Sequence, residues 1–139
     1  MVYKKRYNTE SRIIQGVYTV KADDIAFCTP FEDSIALGGH CIDIHSAKTS
    51  EQDVSFLNQP YKIPYRCMIT SSIDNLIIAG RSVSAEKVAQ ASMRVQATCM
   101  AEGEAAGCAA AICSQSGASV QDVDIQELQK RLSVSGALF

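Results

Sequence analysis

The run from 97 to 114, ATCMAEGEAAGCAAAICS, constrains this chain more than any other stretch. Alanine is the best helix former, so this alanine-rich run predicts one helix starting near Thr98. Gly103, Gly107 and Ala111 recur every four residues and share one helix face. Glycine costs about 1 kcal/mol against alanine inside a helix, which predicts that this smooth face presses close to another element. The plain reading is a core helix lying against a sheet. A sharper reading adds a ligand at its start, where unpaired N–H groups and the positive dipole end suit an anion or a carbonyl-like oxygen.

The segment leading into that helix carries the same ambiguity. Residues 76–79, LIIA, form a short apolar run closed by Gly80, the pattern of a buried parallel-type strand. A glycine there lets a ligand approach the backbone without meeting a Cβ. Arg81 and Ser82 follow at the carboxyl end, where open α/β sheets bind ligands. After a loop, Arg94 adds positive charge just upstream of the helix. The alternative is an ordinary strand-to-helix connection with two solvated arginines.

The rest of the chain is read by period and punctuation. Residues 13–20, IIQGVYTV, predict a strand with a bulge at Gly16. Residues 22–26 predict a short turn or helical start. Residues 33–45 split at Gly38-Gly39, and the alternating HCIDIH beyond predicts a strand. Residues 46–59 are polar and predict a loop. Residues 61–69 look extended, with Pro64 demoting them to an edge or bulged strand. Asp124 and Glu127 have capping-box spacing, and Ile125, Leu128 and Leu132 form an apolar stripe ended by Gly136. That is a short docking helix. The fold class is α+β: short mixed or antiparallel strands, then a strand–loop–helix unit and a C-terminal helix.

Composition excludes several function classes. With 139 residues, the chain is well below the roughly 250–300 at which single cores stop growing. Its 47% apolar and 20% charged residues predict a folded chain rather than a disordered one. The net charge of −2 offers no basic stripe for nucleic acid. No apolar run reaches the ~18 residues of a membrane-spanning helix. No signal peptide is visible behind the basic start. Six cysteines lack C-x-x-C spacing and predict reduced packing residues in a reducing compartment, hence a cytoplasmic protein. His40 and His45 are too few for an all-histidine site, and no metal is expected.

Several spaced motifs carry a resemblance. Tyr61-Lys-Ile-Pro-Tyr-Arg66 is followed by Asn75-Leu-Ile-Ile-Ala-Gly-Arg81-Ser-Val-Ser-Ala85. Then comes Ser92-Met-Arg94-Val-Gln-Ala-Thr-Cys-Met-Ala-Glu-Gly103-Glu-Ala-Ala-Gly107. Glu10 to Tyr18, Gly38 to His45 and Asp122 to Leu132 fit the same pattern. Together they resemble the C-terminal segment of a family of bacterial FAD-dependent oxidoreductases of the glutathione-reductase-like class. The likeness covers nearly the whole chain in order.

The resemblance implies that FAD lies beside Gly80 and Arg81, and that Ala97, Thr98 and Cys99 stand at the isoalloxazine end; Arg94 joins them as a cofactor-binding candidate on its charge. Backbone N–H groups there would stabilise negative charge on the reduced ring. Residues 1–72 would be a partial substrate-domain β region, and 73–139 the FAD-binding strand, helix and terminal helix. Arg12, Asp43, His45 and Arg66 match substrate-domain motifs and are the weak catalytic candidates. Asp43 and His45 share a strand face, which allows an acid–base pair but favours a structural ion pair.

Two departures matter. The family's Met-Pro before Thr-Cys is Gln96-Ala97, and its Met and Gln around Gly103 are Glu102 and Glu104. Acids facing the flavin would oppose its reduced form. The G-x-G-x-x-G loop that holds the pyrophosphate is absent from these residues. The expectation is therefore a C-terminal fragment that lacks bound FAD and catalysis alone and needs a missing N-terminal FAD domain. The alternative is a non-catalytic module that self-associates as a homo-oligomer or docks a partner chain. Substrate and electron acceptor are not legible.

Overall fold

The computed structural model describes residues 12–45 and 52–139. Its elements in chain order are α1 (Ala22–Ala26), β1 (Ser34–Gly38), β2 (Ile42–His45), β3 (Gln52–Ser55), β4 (Tyr61–Pro64), α2 (Lys87–Met93), α3 (Gln96–Ser116) and α4 (Ile125–Ser135). Short 3-10 turns interrupt them at Tyr65–Cys67, Gly80–Ser82 and Val120–Asp122. The architecture is α+β.

Among the described residues the strands form two antiparallel pairs, β1 with β4 and β2 with β3. A bulge lies between Ser34 and Ala36, and Gly38 stands opposite Tyr61. Gly38 is required there: a Cβ would fall 2.2 Å from the Tyr61 ring. The ring is fully buried, its hydroxyl shared with Ser92 Oγ at 2.9 Å. Pro64 ends β4, as its missing N–H predicts, and the chain turns at once into Tyr65–Cys67. The core gathers Ile25, Ile35, Ile63, Tyr65, Met68, Met93, Leu128 and Leu132 between these pairs and the helices. α3 lies across β1, and α4 covers α3.

Several expected elements took another form. Residues 13–20 form no strand ladder. Ile14 N–H donates to Ser82, Val17 to Ile69 and Val20 to Ser84, so the segment stitches two neighbours together. Gly16 permits this, because a Cβ there would meet Ser84 Cβ at 2.7 Å. The apolar run 76–79 is half-buried and makes one isolated bridge, Ile77 to Ile69, instead of a buried parallel strand. Without flanking strands among the described residues, its apolar character is met by partial burial alone. β3 lies inside the stretch read as a loop, paired through Val54 with Asp43. Residues 46–51 of that stretch lie outside the described residues, and 56–59 are irregular as expected. α2 occupies what looked like loop; Ala89, Gln90, Ala91, Ser92 and Met93 are buried.

The long helix is present, but its orientation reverses the expectation. Gly103, Gly107 and Ala111 face outward, and a Cβ on either glycine would meet nothing within 4 Å among the described residues. The buried side is Thr98, Glu102, Ala105, Ala109, Ile112 and Cys113. α4 begins as its sequence demands: Asp124 Oδ1 accepts from Gln126 and Glu127 N–H at 2.9 and 3.1 Å. Glu127 does not complete a capping box and instead binds Arg131 Nε at 2.7 Å. Gly136 takes the left-handed φ of +87° that ends the helix.

Candidate functional site

The suggestive geometry lies where the run 76–79 ends against the start of α3. Ala79 is extended, and Gly80–Ser82 then makes a tight 3-10 turn closed by Val83 N–H on Gly80 O at 3.1 Å. Gly80 has φ +79°, which glycine adopts without strain. The turn abuts the first turn of α3: a Cβ on Gly80 would lie 3.8 Å from Cys99 Cβ. No side chain caps this helix end, and no acid stands in its first turn. Gln96 and Ala97 are exposed, Cys99 is half-buried and Thr98 is buried. The opening N–H groups of a helix have no intrahelical partner, so this end presents donors and a positive dipole.

The side chains of Gln90 and Arg81 fix the turn, and Arg94 links it onward. Gln90, buried on α2, donates from Nε2 to Arg81 O at 3.0 Å and Val83 O at 3.2 Å. Exposed Arg81 donates from Nε to Arg94 O at 3.2 Å. Arg94 donates to the Asp43 carbonyl at 3.0 Å, tying the site to β2. Both arginines therefore have defined positions beside the helix start, not the fully solvated ones of the plain reading. Nothing in the sequence pointed to Gln90. Its only signal is an amide on the otherwise apolar face of a stretch that had to be recognised as helical first.

Glu102 is the second residue whose place was unforeseen. It does not point outward from the helix start. It is fully buried, and its Oε2 accepts the Gly80 N–H at 2.7 Å. Its Oε1 is buried without a hydrogen-bond partner among the described residues. Burial pushes its carboxyl up to about 8, and the Gly80 N–H offsets only part of that. The carboxyl is therefore predominantly neutral at pH 7. Thr98, Glu102, Ala105 and Ala109 share a helix face, and the structure buries that face, but the sequence did not distinguish it from the glycine face. Glu104, by contrast, is exposed and accepts from Ser135 at 2.8 Å.

The other candidates are dispersed. Arg12 lines a cleft of about 370 Å³ with Ile13, Ile73, Leu76, Ile78 and Ser82, on the far flank of the turn. Arg66 is engaged by Asp33 through Nε at 2.9 Å and Nη2 at 3.1 Å, and its guanidinium lies 5.5 Å from the Tyr18 ring. Asp43 is half-buried on β2; the His45 side chain, at the end of that strand, lies outside the described part of the structure. All six cysteines are free thiols. Burial raises the Cys99 thiol above its ordinary value, which disfavours a reactive thiolate. Among the described residues no group of three His, Cys, Asp or Glu could hold a metal ion, and no helix is long and apolar enough to cross a membrane.

A left-handed glycine turn, an uncapped helix start and two positioned arginines lie together here, groups of the kind that can meet negative or carbonyl oxygens. Residues 2–132 match the family model described as FAD dependent oxidoreductase, and the chain belongs to that family. No curated protein and no solved structure matches it. The groups present are of the kinds FAD needs: backbone N–H groups for ring or phosphate oxygens and guanidinium groups for charge.

Proposed function

We propose that this chain supplies the flavin-facing part of a bacterial FAD-dependent oxidoreductase of the glutathione-reductase-like class. In this reading Gly80 and Arg81 line the flavin, the opening N–H groups at Ala97 and Thr98 meet its oxygens, and Cys99 stands beside them with its own N–H bonded to Val95 O at 3.0 Å. The observation that carries it is the uncapped start of α3 set against the left-handed Gly80 turn. FAD, when bound, supplies the two-electron redox chemistry. The chain's own residues orient it, place positive charge through Arg81 and Arg94, and shield one side with the buried seam between the turn and α3. The pyrophosphate-holding loop is assigned to another unit of the enzyme, because no G-x-G-x-x-G occurs in these residues. Catalysis then needs both units. The six free thiols support a reducing, cytoplasmic setting.

The test is a titration of the isotopically labelled chain with millimolar FAD, read by amide chemical shifts. Shifts should concentrate at Gly80, Arg81 and Ala97–Cys99, and the flavin should wash out on dialysis. An unmoved spectrum, or shifts confined to the Arg12 cleft, would sink the assignment. Stoichiometric flavin surviving dialysis would show that no second unit is needed.

A further inference from the structure

The fully buried carboxyl behind the turn has no role in the reading above. Glu102 is the one side chain that bonds the Gly80 N–H among the described residues, at 2.7 Å. Gly80 is also the residue whose left-handed φ sets the direction of the turn carrying Arg81. The second oxygen of Glu102 is buried with no hydrogen-bond partner among the described residues. Such an arrangement is costly for a carboxylate and tolerable for a carboxylic acid.

We propose that Glu102 is a positioning residue of the flavin site: as a neutral acid it holds the Gly80–Ser82 turn against α3, and its ionisation opens that seam. This rests on the reading that Gly80 and Arg81 line the flavin. The physical reason is linkage. The ionised carboxylate gains from the Gly80 N–H but loses more by staying dry, so any opening that hydrates it is favoured as pH rises. The ionisable groups that feel its charge are Tyr61 on β4, Cys67 in the following 3-10 turn and Cys99 on α3 itself. Burial raises all three, so none becomes ionised below the range in which Glu102 responds. Arg81, across the turn, favours the Cys99 thiolate but does not touch the carboxyl. A neutral Glu102 also removes the conflict of placing an acid near a flavin that gains negative charge.

The experiment follows the Gly80 amide of the 139-residue chain by NMR and hydrogen exchange between pH 5.5 and 9.5, without flavin. Its shift should titrate with a midpoint near pH 8. Its protection, corrected for intrinsic exchange, should fall by about fiftyfold from pH 6 to pH 8. Glu102→Gln keeps a carbonyl acceptor and should preserve protection across the whole range. Glu102→Met fills the space without an acceptor and should lose protection at least tenfold at pH 6. A Gly80 amide indifferent to pH in the parent chain, or equal protection in the Gln and Met variants, overturns the positioning role. FAD titrations at pH 6 and pH 8.5 run alongside. Weaker binding at the higher pH in the parent but not in Glu102→Gln supports the coupling. If Gly80 titrates as expected while no variant binds FAD at either pH, the flavin assignment falls and the proton-dependent seam stands.

Discussion

Asp33 and Glu102 are both acids withdrawn from water, and the molecule answers them in opposite ways. Asp33 receives Arg66 Nε, Arg66 Nη2 and the Arg66 backbone N–H, at 2.9 to 3.1 Å. The guanidinium is steadied further by the Tyr18 ring, and Tyr18 donates to Asp24 at 2.7 Å. That corner joins Asp24 of α1, Tyr18 of the 13–20 segment and Arg66 of the 3-10 turn after β4. Among the described residues Glu102 receives one backbone N–H and no cation, and one of its oxygens is left without a bond. A carboxylate answered by a guanidinium and an amide is scaffold. A carboxyl answered by one amide, on the seam of the proposed site, responds to pH.

The largest effect follows from that contrast. Glu102 is pushed from the ordinary carboxyl value of 4.5 up to about 8 in the folded chain. The folded state therefore binds the proton more tightly than the unfolded one. Its contribution is complete below about pH 4.5, is lost as pH rises through the window to about 8, and levels off above. Between pH 5 and pH 9 the loss should be on the order of 4 kcal/mol. Urea unfolding at pH 5, 7 and 9 measures it, and Glu102→Gln should remove the slope between pH 5 and pH 7, while the raised thiols of Cys67, Cys99, Cys108 and Cys113 leave a smaller fall toward pH 9. Stability that is flat or rising across this window would erase the distinction between the two acids.

The scaffold corner should fail by a different route. Asp33→Ala leaves the Arg66 guanidinium and N–H without their acceptor and should cost about 2–3 kcal/mol. Thermal unfolding checks this. A cost below about 1 kcal/mol would mean that the pair is worth no more than a solvated surface bridge, and the scaffold side of the comparison would fall.

Gly80→Ala separates the turn from the acid behind it. Space for a methyl exists, since the nearest atom would be Cys99 Cβ at 3.8 Å. The backbone is the obstacle: alanine at φ +79° costs about 1–2 kcal/mol. If the turn and Glu102 act together, the substitution should also lower the pH midpoint of the stability curve, because a relaxed turn hydrates the carboxyl. An unchanged midpoint would confine the effect of the substitution to backbone strain.

Much of the chain was legible because local rules decided it. Asp124 caps α4, Gly136 ends it, Pro64 stops β4, and the alanine-rich run is helical from Gln96 to Ser116. The motif order identified the family without any structure, and the family match over residues 2–132 agrees. What failed depended on tertiary partners. Residues 13–20 and 76–79 have strand-like composition, but strand identity needs a neighbour in register, and each found only isolated bonds. Which face of α3 would be buried was equally undetermined. Alanine and glycine both fit a tight seam, and the face carrying Thr98, Ala105 and Ala109 is as smooth as the one carrying Gly103 and Gly107. The acid at 102 argued for solvent on hydropathy alone; only the Gly80 N–H, which appears when the chain folds, makes its burial tolerable.

The smallest effect tests that last point directly. Close packing was the reason for expecting Gly103 and Gly107 to be costly to replace. In the folded chain both face outward, and an added Cβ meets nothing within 4 Å among the described residues. Helix propensity should then act alone, so Gly103→Ala and Gly107→Ala should each stabilise the chain by up to about 1 kcal/mol. Ala105→Gly, on the buried face, should do the reverse and lose packing as well. Denaturant unfolding of the three variants resolves differences of this size. A destabilising Gly103→Ala or Gly107→Ala would mean that the smooth face has a close neighbour after all, and the division of α3 into a Glu102 side that is packed and a glycine side that is open would have to be redrawn.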